Sequence, residues 1–97
     1  MNYHIITITS FDSASIIASL EKQQNEHIIL DALESDCTIE NIASLQDVLE
    51  KRHENGFFFA LLNTTIDIDD LEDEINIAPT LQEAVDMLEM EIMMRDL

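Results

Sequence analysis

The chain has 97 residues, of which 21 are acidic and four are Lys or Arg, so its net charge at pH 7 is −17. Because phosphate binding requires clustered Lys and Arg, this balance argues against nucleic acid and anionic membranes as direct partners. A hydrophobic content of 46% is too high for a disordered acidic tail. We expect one folded domain over residues 1–97 that meets a basic protein surface; the alternative is a solvated acidic surface without a specific partner.

The cysteine content and the N-terminal segment bear on the compartment. The single cysteine, Cys37, cannot form an internal disulfide. The first ten residues have no cationic segment and no long apolar run, and no apolar stretch of the chain approaches the ~20 residues that span a membrane. These features predict a cytoplasmic protein.

The first strand and helix are predicted within residues 3–24. Residues 3–9 are rich in β-branched side chains and favour a strand. Ser10 is the expected N-cap of a helix that continues to about Gln24, with Asp12 in its first turn. The face of this helix toward the sheet is expected to carry Ser13, Ile16, Ile17 and Leu20.

Residues 26–63 form the central unit of the chain. The apolar run of residues 27–33 predicts an interior strand, and Asp31 within it is expected to bond to amides of the next loop rather than to serve a site. A turn at residues 34–37, which contains Glu34 and Asp36, precedes a helix over residues 38–55, with Thr38 as N-cap. Asn55-Gly56 ends that helix, and residues 57–63 predict a central strand that contains three of the four Phe.

The last third of the chain begins with an acid-dense segment, residues 63–74. Its sequence does not match an EF-hand loop, because Leu71 and Glu72 stand where a fifth-position oxygen donor and a glycine are required. We therefore expect a solvated loop with a short helix instead of a calcium site. Residues 75–78 predict a fourth strand. Thr80 and Glu83 then form a capping box for a helix to Leu97.

That last helix has two apolar stripes. The stripe expected to face the core contains Leu81, Ala84, Val85, Leu88 and Ile92. The second contains Met87, Met90 and Met94, which would either wrap around the core or form a partner or homodimer face. In total, the pattern predicts an α/β fold with a single four-stranded, mostly parallel sheet built from successive right-handed β-α units.

The residues that usually carry chemistry do not form a recognisable set. The only glycine is Gly56, which excludes a Gly-rich phosphate loop. The three histidines stand singly, and Cys37 is surrounded by acids that disfavour its thiolate. We therefore expect no enzymatic activity, no cofactor and no metal.

Several segments of the central unit resemble the STAS domain of anti-sigma factor antagonists. They are Ile28-Ile29-Leu30-Asp31, Thr38-Ile39-Glu40-Asn41-Ile42, Asn55-Gly56, Phe59-Ala60-Leu61-Leu62-Asn63 and Pro79-Thr80-Leu81-Gln82-Glu83-Ala84. The last segment, with Glu89-Met90-Glu91 and Arg95-Asp96-Leu97, is also similar to small stand-alone STAS-like proteins of Bacteroidetes-type bacteria. The resemblance covers roughly residues 26–92 and rests on spacing and apolar pattern.

The resemblance implies a sheet with strands in roughly sequential order and a docking surface on the turn before the second helix. In the family this turn carries Asp-Ser-Ser-Gly, whose second serine is phosphorylated by a partner kinase. Here the four positions are Thr38, Ile39, Glu40 and Asn41. None matches, and Glu40 places a fixed negative charge at the phosphoacceptor position.

The resulting expectation is a non-enzymatic, regulatory, STAS-like interaction module that docks through residues 34–41 and the exposed side of the second helix. The residues expected to bind the partner are Asp36, Cys37, Thr38, Glu40, Asn41 and Ser44. Thr38 and Ser44 are also candidate phosphorylation sites. The alternative is an acidic decoy or inhibitor that covers a basic site on a nuclease or DNA-binding protein through residues 67–74. If all helices covered one face of the sheet, the other face would be open and could serve as a dimer interface.

Overall fold

The computed structural model describes residues 2–66 and 75–95, which form an α/β fold. The strands are β1 (Tyr3–Thr7), β2 (His27–Asp31), β3 (Phe59–Leu62) and β4 (Asn76–Ala78). The helices are α1 (Ser13–Lys22), α2 (Ile39–Ala43), α3 (Gln46–Glu54) and α4 (Leu81–Arg95). The strands lie in the order β1-β2-β3-β4, and every neighbouring pair is parallel. The predicted α/β fold with one four-stranded sheet is confirmed.

One face of the sheet is covered by α1, α2 and α3. These helices bury Ile16, Leu20, Ile42 and Leu45 against the strand residues Ile28, Leu30, Phe59 and Leu61. Full burial of each Leu or Ile contributes roughly 1.5–3 kcal/mol, so this cluster is the larger source of stability. It is the face that amphipathic helices between parallel strands are expected to cover.

On the other face, α4, which follows the last strand, covers β3, β4 and the margin of β2. Ala84 and Leu88 of this helix pack on a second apolar cluster that includes Ile29, Phe58, Ala60 and Leu62. The side chains of 57–62 that alternate away from the first core are therefore buried too. α4 is therefore the helix that crosses to the second face of the sheet.

The N-terminus of α1 differs from the prediction. The N-cap is Asp12 rather than Ser10: its side chain accepts hydrogen bonds from the backbone N–H of Ala14 at 3.2 Å and from the Ser15 hydroxyl at 2.9 Å. A carboxylate two residues closer to the apolar stripe outcompetes the serine, because it also interacts favourably with the helix dipole. The helix ends at Lys22, two residues before the predicted end.

The predicted helix over 38–55 is two helices, α2 and α3, separated at Ser44 and Leu45. The Ser44 hydroxyl donates to the backbone carbonyl of Asn41 at 2.5 Å, and the Leu45 N–H donates to the Ile42 carbonyl at 3.0 Å. A serine that bonds back to its own helix, followed by a tight i→i+3 bond, disrupts the regular ladder. The prediction of one continuous helix was wrong for this local reason.

The last helix begins after Thr80, whose side chain accepts from the Glu83 N–H at 3.2 Å; this is one of the two hydrogen bonds of the predicted capping box. Val85 and Ile92 are half-buried, but Leu81, predicted to face inward, is 42% exposed in the first turn. Of the methionines, Met87 packs against the core. Met90 and Met94 are 62% and 66% exposed.

Residues 67–74, on which the calcium question and the acidic-decoy alternative rest, lie outside the described residues. None of the helices within 2–66 and 75–95 combines the length and apolarity needed to cross a bilayer.

Candidate functional site

The turn between β2 and α2 lies at the carboxyl end of the sheet, where open α/β folds place their sites. It starts at Asp31, whose carboxylate accepts from the Leu33 N–H at 3.2 Å. This is the structural role predicted for Asp31. The following residue, Ala32, is fully buried and continues the ladder by donating to the Leu62 carbonyl at 3.0 Å.

Asn63 holds the turn from the neighbouring strand end. Its side-chain amide is buried and donates to the backbone carbonyls of Ala32 at 3.0 Å and Ser35 at 3.2 Å. Its side-chain oxygen accepts from the backbone N–H groups of Thr65 and Ile66, each at 2.9 Å. One amide group therefore fixes the β2–α2 turn against the loop after β3, since a buried amide with its bonds satisfied allows one arrangement of both loops.

The start of α2 is fixed by a reciprocal cap. The Thr38 hydroxyl accepts from the Asn41 N–H at 3.1 Å, and the Asn41 side chain accepts from the Thr38 N–H at 3.0 Å. Thr38 was predicted as the cap, and Asn41 completes a capping box in the role usually taken by Glu or Gln. Glu40, in the first turn, points a carboxylate at the end of the helix where it is most favourable.

Ser44 ties the end of α2 to α1. Its hydroxyl lies 2.6 Å from that of Ser13, in addition to its bond with the Asn41 carbonyl. Both serine side chains are accessible enough to exchange these bonds with water. The contact positions α2 relative to the first helix.

Five of the six predicted partner-binding residues are accessible. Asp36, Thr38, Glu40 and Ser44 are exposed and Asn41 is half-buried. Cys37 is 7% exposed and belongs to the core cluster, and burial raises the pKa of its thiol. Cys37 is therefore too buried to contact a partner, and the prediction that it binds one is wrong. The remaining residues are called the acidic turn: Asp36, Thr38, Glu40, Asn41 and Ser44.

The electrostatic character of the acidic turn follows from the sequence around it. Residues 23–50 contain no Lys or Arg. Exposed Glu34 adds to the charges of Asp36 and Glu40. A cationic surface approaching this side of the protein meets no like charge in these residues.

Arg52 was not recognised from the sequence. It is 7% exposed, and its guanidinium donates to the carbonyls of Leu20 and Gln23, each at 3.0 Å, and to that of Glu26. It therefore caps the C-terminus of α1 from α3, and burial lowers its pKa. The available signal was its spacing, since Arg52 falls seven residues after Leu45 on the apolar stripe of the helix.

A cavity of about 590 Å³ lies beside Arg52, between α1 and α3, with Leu20, Val48, Lys51 and Phe57 in its lining. Its volume falls in the range of small-molecule sites. The Nη atoms of Arg52 are occupied by the backbone carbonyls, while its Nε is buried without a partner among the described residues. The cationic side chain at this cavity thus serves the packing of two helices.

His27 occupies the opposite end of the sheet from the acidic turn. Its Nδ1 accepts a hydrogen bond from the Phe58 N–H at 2.9 Å, and its ring stacks on that of Phe58 with centroids 5.5 Å apart. Burial, and then the charge of Arg52, lower its pKa. The imidazole is therefore neutral and structural in this position. Within the described residues, no group of three His, Cys, Asp or Glu side chains is arranged to hold a metal ion.

The comparisons with known proteins add no relative. No family model, no curated protein and no solved structure matches this chain.

Proposed function

We propose that this protein is a non-enzymatic, STAS-like interaction module that docks a protein partner through the acidic turn. The observation that carries the proposal is the way the turn is held. Asn63 bonds to both Ala32 and Ser35, and Thr38 and Asn41 cap each other, so exposed carboxylates are presented on a fixed backbone. A preorganised surface binds with less loss of conformational entropy.

The order of the strands also supports the proposal. A parallel sheet in the order β1-β2-β3-β4 is what the STAS resemblance implies. The acidic turn falls between β2 and α2, at the place where the family carries its docking residues. The partner surface is expected to be basic, because Asp36 and Glu40 are exposed in a stretch without Lys or Arg.

Capture from a native lysate of the source organism tests this surface. The tagged chain is compared with Asp36→Lys and Glu40→Lys, and with Glu50→Lys, an exposed α3 residue whose substitution makes the same charge change. We expect a discrete captured protein to be lost with the first two variants and kept with the third. Capture that ignores Asp36→Lys and Glu40→Lys would refute the acidic turn as the docking surface.

Phosphorylation of the same surface is part of the proposal. Thr38 and Ser44 are exposed at the start and end of α2. A phosphate on either would add up to two negative charges to a surface that already has a carboxylate at Glu40. Mass spectrometry of protein purified from its own host is expected to find one of these residues modified. If neither Thr38 nor Ser44 is modified, the phosphorylation proposal is refuted, and this surface has only fixed charges such as that of Glu40.

The acidic-decoy alternative has the net charge of −17 in its favour. It predicts that partner affinity falls steeply with salt and with neutralisation of the acids in residues 67–74. Substitution of those acids by Asn and Gln, with the acidic turn intact, separates the two functions.

We also propose a cytoplasmic location. It is supported by the unpaired thiol of Cys37, and cell fractionation tests it.

A further inference from the structure

The second face of the sheet is only partly covered by the described part of the chain. α4 packs on β3 and β4 and, at its margin, on β2. The apolar cluster beneath it contains no residue of β1. Four strands about 4.8 Å apart form a sheet nearly 20 Å wide, and a helix is about 10 Å across, so one helix covers roughly half of such a face.

The uncovered strip lies over β1. Ile5 pairs in register with Ile29, and Tyr3 with His27, so their side chains point to the α4 face, because paired residues of neighbouring strands share a face. Ile29 is fully buried, whereas Ile5 is 39% and Tyr3 37% exposed. Two large apolar side chains therefore form the floor of an open strip beside α4.

The flank of α4 forms a wall along this strip. Glu91 contacts Asn76 of β4, so that flank of the helix faces β4. Val85 and Ile92, both half-buried, lie about 100° away around the helix and face β1. Leu81, 42% exposed, is one turn before Val85 on the same flank. We call this surface the β1 groove: Tyr3, Ile5, Leu81, Val85 and Ile92.

The charges around the β1 groove distinguish between possible occupants. Residues 2–11 contain no Asp, Glu, Lys or Arg, so the floor is uncharged. Exposed Glu89 stands at the outer rim, four residues after Val85 and three before Ile92. A second copy of this chain would bring a net charge of −17 toward that rim, and its α4 carries Glu83, Asp86 and Glu89 on exposed positions. Like charges of this kind oppose self-association.

We propose that the β1 groove binds a cationic amphipathic helix of a protein partner. Because α4 covers about half of this face, the remaining strip has roughly the width of one helix, and an inserted helix would complete the second layer that α4 begins. Its apolar stripe would pack on Tyr3 and Ile5, and a Lys or Arg on its flank would meet Glu89. This surface lies on the opposite face of the sheet from α2 and does not depend on the acidic turn.

A synthetic helix probes the groove directly. The probe is a fluorescently labelled Leu/Lys peptide of about 18 residues with an apolar stripe, about 27 Å long when helical. Its control has the same composition in an order that forms no apolar face. Fluorescence anisotropy gives the Kd for the full chain and for Ile5→Thr, Glu89→Lys and Glu50→Lys. Circular dichroism confirms that each variant is folded, and Thr retains the strand propensity of Ile.

We expect Ile5→Thr and Glu89→Lys each to raise the Kd by about tenfold, because they remove apolar floor and the rim charge. Glu50→Lys, which makes the same charge change on the other side of the sheet, should alter it by no more than about twofold. Equal losses for Glu89→Lys and Glu50→Lys, or equal binding of both peptides, would overturn the proposal in favour of charge alone. A homodimer that forms without peptide and dissociates with Ile5→Thr would also overturn it, because a second copy would then fill the groove.

Discussion

Arg52 of α3 donates a 3.0 Å hydrogen bond from Nη1 to the backbone carbonyl of Leu20, in the last turns of α1. The same guanidinium reaches the carbonyls of Gln23 and Glu26, so one side chain satisfies three acceptors at the end of α1 and in the turn that follows it. The negative end of the α1 dipole and these carbonyls compensate the buried charge.

Replacement of Arg52 by Met is therefore expected to destabilise the protein by about 2–4 kcal/mol, since the carbonyls lose charge-assisted bonds that an apolar side chain cannot replace. Arg52→Lys keeps the charge but not the planar fork, and should lie between Met and the wild type. Urea denaturation measures both free energies of unfolding. A Met variant as stable as the wild type would show that water satisfies these carbonyls.

Asn63→Asp tests the amide that holds the acidic turn. The substitution keeps the acceptor for the Thr65 and Ile66 N–H groups and places an oxygen against the carbonyls of Ala32 and Ser35. We expect a loss of about 2–4 kcal/mol in the free energy of unfolding. Asn25→Asp, the same change at an exposed position, should stay within about 0.5 kcal/mol. Similar losses for both variants would mean that added charge, and not the lost donors, is responsible.

The N-cap of α1 gives a paired prediction. Asp12→Ala should lower the free energy of unfolding by about 1 kcal/mol, because its carboxylate bonds to the Ala14 N–H. Ser10→Ala, at an exposed position before the helix, should have an effect within about 0.5 kcal/mol. The reverse order in thermal or urea unfolding would place the cap at Ser10, as the sequence suggested.

His27 makes stability depend on pH. Burial, followed by the charges of Arg52 and the N-terminal amine, lowers its pKa below the ordinary value of 6.5, while nearby Glu91 acts in the opposite direction. The unfolded chain therefore binds a proton near pH 6.5 that the folded protein does not yet bind. The free energy of unfolding should decrease as the pH falls from about 6.5 toward the lowered pKa, and the contribution of His27 is fully present above 6.5.

His27→Asn provides the control for this dependence. Its side-chain oxygen can replace the Nδ1 acceptor for the Phe58 N–H but does not titrate. Urea denaturation at about pH 7.5 and about pH 5.5 should show a smaller loss of stability for the variant, because Asn does not bind a proton in this range. An identical loss in the two proteins would assign the pH dependence to other groups.

Much of the fold follows from local sequence patterns. The apolar segments around Ile28–Leu30 and Phe59–Leu62 predict buried strands because their residues are apolar on both faces of the strand. A strand with one solvated face would alternate apolar and polar residues. The caps at Thr38 and Thr80 are recognisable because the required hydroxyl precedes an apolar stripe.

Other features depend on contacts that the linear pattern does not contain. Ser44 breaks the second helix through a bond to its own backbone and a contact with Ser13, which is 31 residues away. Arg52 and Asn63 owe their roles to carbonyls of other elements, and a polar residue type gives no sign of burial. The five residues of the acidic turn are accessible, as predicted. Cys37, which was predicted together with them, is buried in the core, and its acidic neighbours in sequence give no sign of this.

Site-specific photo-crosslinking in cells of the source organism tests the docking role of the acidic turn most directly. A photoreactive phenylalanine derivative is introduced at the exposed Ala43 of α2, beside the acidic turn, and, in a matched experiment, at the exposed Glu50 of α3. We predict a covalent adduct with one discrete protein from position 43 that is absent from position 50 and is lost when Asp36→Lys is added. No adduct from position 43, or the same adduct from both positions, would contradict the acidic turn as the docking surface.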